Sequence, residues 1–269
     1  ALQRNPSLKF ILFFFFFLIR PLLEDYSHLS AVKTLTHTKD VIRNEDKPSV
    51  ALRQGRQSSM RLAINAVADR KADAVVSAGN TGAYMAISKF VLKTMEGISR
   101  PAIAASFPTA EGSCVMLDLG ANVSCGQDNL VEFAVMADIY ARDVLGLDNP
   151  KIVLLNVGEE EMKGNAVVQE AAAVLRKAPK TLNFQGFIEG DRIIEGEAEV
   201  IVTDGFSGNV ALKASEGMVN FMITLLKDAI KSSWLSKLGG LLISRPIRRM
   251  RDRINPKHHN GAILIGLGG

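Results

Sequence analysis

Four times along this chain a short apolar run empties into a turn of glycine and asparagine, and the turn opens a helical pattern. The most legible case is Val200-Ile-Val-Thr-Asp-Gly-Phe-Ser-Gly-Asn-Val-Ala-Leu-Lys213. Val200–Val202 is a β-branched run, as buried strands are. Asp204, Gly205, Ser207, Gly208 and Asn209 make a small polar turn, and Val210 begins the helical spacing. The other three turns are Gly79-Asn-Thr-Gly82 after Asp73–Ala78, Gly120-Ala-Asn122 after Val115–Leu119, and Val157–Asn165 after Ile152–Asn156. Strands that alternate with helices imply a mostly parallel sheet with helices on both faces. Ligands of such sheets sit beyond the carboxyl ends of the strands. Helix N-termini gathered there offer an anion free backbone N–H groups and a favourable dipole. Turn formation alone accounts for any one of these loops; four on one edge point to a phosphate-handling site.

The rest of the chain fits the same plan. Helices are expected over Ser58–Arg70, capped by Ser58 or Ser59, and over Ala83–Lys93 and Ala166–Lys177. Another spans Asn129–Leu145, with Leu130, Phe133, Ala134, Ala137, Ala141 and Val144 inward and Gly146 as its stop. Further strands are expected at Lys9–Phe13, near Val32–Leu35, at Ala102–Phe107, Asn183–Ile188 and Glu199–Val202. Phe10–Ile19 is apolar throughout, but its ten residues are half the length of a spanning helix. Arg4 and Lys9 precede that run, yet no small-residue cleavage site follows it. At 269 residues the chain can bury one sizeable core, and it reads as a single α/β domain over 1–269 with an appendage at about 215–258.

Cys114 and Cys125 are too few for a disulfide framework or a cysteine-based zinc site, and a reduced cytosolic setting fits them. The histidines show no HExxH pattern, and no metal site is expected. No GxGxxG or GxxxxGK[ST] is present, so neither a dinucleotide fingerprint nor a P-loop is available. A GxSxG elbow is also absent, and Ser207 has no evident histidine partner. What remains is a set of anion binders and hydrogen-bond donors. Lys163 is a cation in a glycine-flanked loop, either a ligand group or a solvated lysine. Asn80, Asn122, Asn165 and Asn209 can hold a phosphate or a carbonyl oxygen, or act as turn formers and caps. Asp118 and Asp204 end strands, as bases, metal ligands or caps.

Between Lys231 and Lys257 stand eight basic residues and only Asp252 as an acid, a local charge of +7 on a chain whose total is +4. Met218, Phe221, Met222, Leu225 and Ala229 recur at helical spacing before it, followed by Trp234, Leu235, Leu238, Leu241 and Leu242. Two helices joined near Gly239-Gly240, with an apolar tip and basic flanks, suit an anionic membrane surface. A packed hairpin or a dimer contact is the alternative. Nucleic acid is not expected, because no aromatic residues interleave with the basic cluster.

Ser77-Ala-Gly-Asn-Thr-Gly-Ala83, Leu117-Asp-Leu-Gly-Ala-Asn-Val123, Leu154-Leu-Asn-Val-Gly158 with Lys163-Gly-Asn165, Val202–Lys213 and Asn260–Gly266 together closely resemble the bacterial phosphate acyltransferase family. The resemblance runs from about Val32 to Gly266, with fainter similarity at Lys9–Phe13 and Arg20–Leu23. It implies a Rossmann-like α/β/α sandwich of the phosphotransacetylase and isopropylmalate dehydrogenase kind, carrying a protruding helical hairpin. It implies formation of acyl-phosphate from acyl-acyl carrier protein and inorganic phosphate for phospholipid synthesis, without a cofactor. Lys163 and Asn209 match the family's catalytic positions. Asn80, Thr81, Gly82, Asp118, Gly120, Asn122, Gly164, Asn165, Asp204, Gly205, Ser207 and Gly208 are the matching candidates for substrate binding, and Trp234, Leu235, Leu238, Leu241 and Leu242 for membrane contact. The resemblance further implies a homodimer, cytoplasmic and peripheral at the inner face of the membrane, with a membrane glycerol-3-phosphate acyltransferase as partner. The family's opening Asp-Ala-Met-Gly-Gly-Asp loop and its segment beyond Gly269 are not in this sequence, so a piece truncated at both ends is expected. The alternatives are an NAD-dependent dehydrogenase on the related fold and a non-catalytic membrane- or partner-binding piece.

Overall fold

The computed structural model describes residues 6–15, 21, 33–179, 181–254 and 261–268. The remainder of the phenylalanine run beyond Phe15, most of Arg20–Leu23, and His258–His259 lie outside the described residues. The sequence reading carried one domain throughout; the chain divides into two compact units, Ala1–Gly97 with Leu267–Gly269, and Ile98–Gly266.

In the first unit, β1 (Phe10–Phe14) pairs in parallel with β2 (Lys33–His37). Three helices follow: α1 (Pro48–Gln54), α2 (Ser59–Ala68) and α3 (Thr81–Leu92). Proline opens α1, where its missing N–H costs nothing. Ser58 caps α2 by accepting the Arg61 N–H at 3.2 Å. Ile42, Ala51, Met60, Ile64, Ala83 and Ile87 form the core of this unit. The strand expected at Asp73–Ala78 is not formed. A strand needs a neighbour to take its backbone groups; β1 and β2 pair with each other, and Val76 stands 96% exposed.

The second unit is built on a sheet of β3 (Ala102–Pro108), β4 (Ser113–Leu117), β5 (Ile152–Leu155), β6 (Phe184–Ile188), β7 (Val200–Val202) and β8 (Ile263–Ile265). Their spatial order is β6-β5-β7-β4-β3-β8, and only β3 runs against the others. Leu117, Val202 and Leu154 stand side by side across β4, β7 and β5. The period of two sends alternate residues to opposite faces. Val115, Leu117, Ile152, Leu154, Val200 and Val202 pack with Leu130, Phe133, Ala134, Ala137 and Ala141 of α4 (Gln127–Leu145) and Ala171, Ala172 and Leu175 of α5 (Ala166–Leu175). Cys114, Met116, Val153 and Ile201 face the other way, toward Ile193, Ala198 and, on α6 (Gly205–Lys231), Ala211 and Leu212. Both faces are covered, so these strands are apolar throughout, as parallel strands are. Gly146 ends α4 in the left-handed region, at φ 70°, the conformation glycine adopts without strain. Val144, expected inward, is 60% exposed: it shares the helical stripe of Phe133, Ala137 and Ala141 but stands in the last turn of α4.

The appendage differs from its expected form. α6 runs unbroken from Gly205, and the chain turns at Ser232–Ser233 rather than at Gly239-Gly240. Ser233 caps α7 (Trp234–Leu242) by accepting the Ser236 N–H at 3.0 Å. Gly240 lies inside α7 where the helix presses on α6: a Cβ there would meet Ile230 Cγ2 at 2.6 Å. α8 (Ser244–Ile254) carries the arginines.

Candidate active site

β5, β7 and β4 are neighbours and parallel, so the loops that leave their carboxyl ends emerge side by side. Three of the four expected loops belong to this rim: Gly120–Asn122, Val157–Asn165 and the start of α6. The fourth, Gly79–Gly82, belongs to the first unit and follows no strand. There Asn80 caps α3, accepting the Ala83 N–H at 3.0 Å, and its amide donates to the carbonyls of Arg43, Asn44 and Asp46. Thr81 and Gly82 are the first two residues of α3.

Asp118 organises the middle of the rim. It is fully buried, and its two oxygens accept four N–H donors. Oδ1 takes the backbone N–H of Ile103 at 2.9 Å and Ala121 at 3.1 Å; Oδ2 takes the backbone N–H of Asn122 at 2.6 Å and its side-chain amide at 2.9 Å. Burial pushes the Asp118 carboxyl above its ordinary range, and these N–H bonds hold it back down. The Asn122 amide also donates to Pro101 O at 2.8 Å, and Asn122 O accepts the Gly205 N–H at 2.8 Å. This ties the β4 loop to the first turn of α6. The contact tolerates no side chain: a Cβ on Gly205 would lie 2.7 Å from Asn122 O, and one on Gly208 would lie 2.1 Å from Asp118 O. The Asp118 carboxylate and the N–H groups of the Asn122 amide thus spend their hydrogen bonds inside the protein.

Asp204 is the cap of α6. Its Oδ1 accepts the Ser207 N–H at 2.9 Å and its Oδ2 the Ser207 hydroxyl at 2.8 Å. The helix begins at Gly205, five residues before the expected Val210, because Asp204 supplies the cap at that point. Asn209 therefore lies within the helix. It is exposed, and among the described residues its amide has no hydrogen-bond partner. It borders Gly120, whose φ of +118° admits no ordinary side chain and whose Cβ would lie 3.6 Å from Asn209 Cβ.

Lys163 lies on the loop after β5, exposed, and its ammonium pairs with no described residue. Glu159 and Glu161 of the same loop are drawn off by arginines, Glu159 by Arg192 and Glu161 by Arg176 at 3.5 Å. Asn165 caps α5 by accepting the Val168 N–H at 3.0 Å. Gly164 has a φ of +91° and lies against Asn156, whose Oδ1 a Cβ would approach to 2.1 Å. Sequence reasoning gave no role to Asn156 or Gln169, whose amides hold this loop. Asn156 falls within a quoted motif. Gln169 stands one turn beyond the Asn165 cap, and that spacing was its only signal.

Among the described residues no cluster of histidine, cysteine, aspartate and glutamate could hold a metal ion. Among the described residues, the rim presents the unpaired Lys163 ammonium and Asn209 carboxamide at the mouths of adjacent parallel strands, backed by a buried carboxylate. That arrangement can bind an oxyanion and donate to a carbonyl oxygen.

The fold has solved counterparts. It is similar to that of a EutD phosphotransacetylase from Staphylococcus aureus, at TM-score 0.59 and 19% identity over 81% of this chain and 77% of that one. A phosphotransacetylase from Streptococcus pyogenes matches at TM-score 0.53 and 17% identity, over 78% of this chain and 82% of that one. A family model described as "Fatty acid synthesis protein" matches residues 1–269. A phosphate acyltransferase of Rhodospirillum centenum is 56% identical over 93% of this chain and 71% of its own length. One from Paramagnetospirillum magneticum is 51% identical over 100% of this chain and 77% of its own. The chain belongs to the phosphate acyltransferase family, and it is an acyl-transferring enzyme. The dehydrogenase and non-catalytic readings are set aside by that membership.

Proposed function

We propose that the chain forms acyl-phosphate from acyl-acyl carrier protein and inorganic phosphate on the β5–β7–β4 rim, with Lys163 and Asn209 as its catalytic residues. One observation carries the assignment. Of the polar candidates in the second unit, Asp118, Asn122, Asn165, Asp204 and Ser207 have protein partners, whereas Lys163 and Asn209 are exposed and have none among the described residues. Lys163 holds the phosphate as a point charge. A phosphate oxygen attacks the thioester carbonyl carbon, and Asn209 donates to the oxyanion that forms. The carbon–sulfur bond breaks, the thiolate of the carrier's arm leaves, and it takes up the proton the phosphate gives up. No side chain becomes covalently attached, because holding two reactants together supplies much of the rate. Asp118, Asn122, Gly205 and Gly208 position the α6 turn without touching substrate. The test is Lys163→Ala, assayed for acyl-phosphate: a loss of at least about a hundredfold with an unchanged circular dichroism spectrum is expected, and near-normal turnover would reject the assignment.

The hairpin supports contact with an anionic membrane surface. Trp234, Leu235, Leu238, Leu241 and Leu242 are 72%, 61%, 53%, 70% and 78% exposed, and Arg245, Arg248 and Arg249 follow on α8. No helix among the described residues is long and apolar enough to cross a membrane, so the contact is peripheral. Flotation with phosphatidylglycerol vesicles that persists after Trp234→Ser and Leu238→Ser together would refute it. A homodimer and a membrane glycerol-3-phosphate acyltransferase that consumes the product rest on the family resemblance; sedimentation and cross-linking check them.

A further inference from the structure

The loop that carries Lys163 is held by its carbonyl oxygens, and two side-chain amides hold it. Asn156 Nδ2 donates to Gly158 O at 3.0 Å and to Lys163 O at 3.1 Å. From the other side, Gln169 Nε2 lies 2.9 Å from Met162 O, 3.3 Å from Lys163 O and 3.2 Å from Gly164 O. The Lys163 carbonyl is thus the shared acceptor of both amides. Asn156 comes from the end of β5 and Gln169 from the first turn of α5, so the loop is fastened to both elements it connects.

We propose that Asn156 and Gln169 are positioning residues that fix the Lys163 backbone, and so aim its ammonium at phosphate; this rests on the role given to Lys163 above. A lysine side chain is a flexible four-carbon stem, and that of Lys163 starts against Gly158, where an added Cβ would lie 2.8 Å from Lys163 Cγ. Its reach is then directed by the Cα–Cβ vector, which the clasp sets, and by that close approach. The polarity of the clasp is fixed too. Each amide must turn its NH2 end to the loop, since its oxygen would repel the carbonyls gathered there. A carboxylate of the same shape inverts the interaction and drives the loop open. Gly164 completes the device: its left-handed φ of +91° lets the chain turn hard against Asn156.

The test uses the full chain and steady-state turnover with inorganic phosphate and an acyl-acyl carrier protein, each varied in turn. Gln169→Glu should raise the KM for phosphate, or lower kcat/KM for phosphate, by about tenfold to a hundredfold. The KM for the acyl carrier should stay within about twofold, because uniform loss of one substrate's binding leaves the other's unchanged. Asn156→Ala should move the same constant in the same direction, and it is the second variant should Gln169→Glu fail to fold. A fall in kcat with both KM values unchanged would mean only that less enzyme is folded, and would overturn the proposal. So would unaltered phosphate kinetics in both variants beside an inactive Lys163→Ala. If Lys163→Ala itself turns over normally, the fault lies with the lysine's assignment rather than with the clasp.

Discussion

Two glycines on α6 should respond to alanine with opposite signs, and the difference follows from the seat of the helix. At Gly208 a Cβ would meet the backbone oxygen of Asp118 at 2.1 Å and Thr203 Cγ2 at 2.8 Å. An ordinary carbon-to-oxygen contact is about 3.3 Å or more, so helix or strand must give by roughly an ångström. Neither side yields readily. Asp118 N–H is bonded to Thr203 O at 2.9 Å, and the Asp118 carboxylate is fastened to β3 and to the β4 loop. Overpacking against a rigid neighbour costs about 3 kcal/mol. The gain in helix propensity offsets about 1 kcal/mol of it, leaving a net loss near 2 kcal/mol. At Gly217, nine residues on and exposed, a Cβ would meet nothing within 4 Å. There the propensity gain stands alone and the chain should be more stable by about 0.5–1 kcal/mol. Guanidinium unfolding followed by far-ultraviolet circular dichroism measures both. Gly208→Ala should also slow turnover, since Asn209 is the next residue. A Gly208→Ala midpoint equal to that of the parent, or equal shifts for the two variants, would show that the close approach to β4 does not govern this helix.

Other expectations concern the buried groups. Asp118→Asn replaces one carboxylate oxygen by an NH2 group; whichever way the amide turns, two N–H donors lose their acceptor. At about 1–3 kcal/mol per buried unsatisfied group, a loss of about 3 kcal/mol is expected in the unfolding midpoint, and a variant as stable as the parent contradicts the four-donor reading. Burial pushes the Cys125 thiol up to about 11 and Cys114 to about 12, from an ordinary 9.0. At pH 8 only about one Cys125 in a thousand is then thiolate, so alkylation by iodoacetamide should be slow until guanidinium is added; prompt labelling of the folded chain speaks against it. The same shift has a stability consequence. Above about pH 9 the unfolded chain releases these protons while the folded chain keeps them, so the unfolding midpoint should fall as the pH rises toward 11.

Much of the second unit was legible because its central strands are buried on both faces and bounded by polar residues. Ile152–Leu155 and Val200–Val202 stand within a residue of their expected limits. Asp73–Ala78 has only Val75 and Val76 as β-branched residues and forms no strand, since a strand is a property of a pair and the residue string shows only one member. The helical appendage failed for a different reason. Glycine suggests a break, yet Gly239 and Gly240 sit within α7, and at Gly240 the absence of a side chain lets Ile230 approach. Composition does not separate a glycine that ends a helix from one that lets two helices meet.

The asparagines carry that ambiguity into the site, and the helix starts resolve it. Asn80 and Asn165 each stand immediately before a helix, with their side-chain oxygens on N–H groups three residues ahead. For both, local structure is a sufficient reason for the residue type. Asn122 is explained by Asp118 and Pro101. Asn209 would have had the same kind of explanation had α6 begun at Val210, since it would then have been the cap. With the helix beginning at Gly205, it occupies an interior position, where asparagine is less favourable than alanine by several tenths of a kcal/mol, and it makes no bond to any described residue. Its side chain lies beside Gly120, but capping does not account for a carboxamide there. The fold leaves that amide unspent, and this is the ground on which Asn209, rather than its three counterparts, is proposed for the reacting carbonyl.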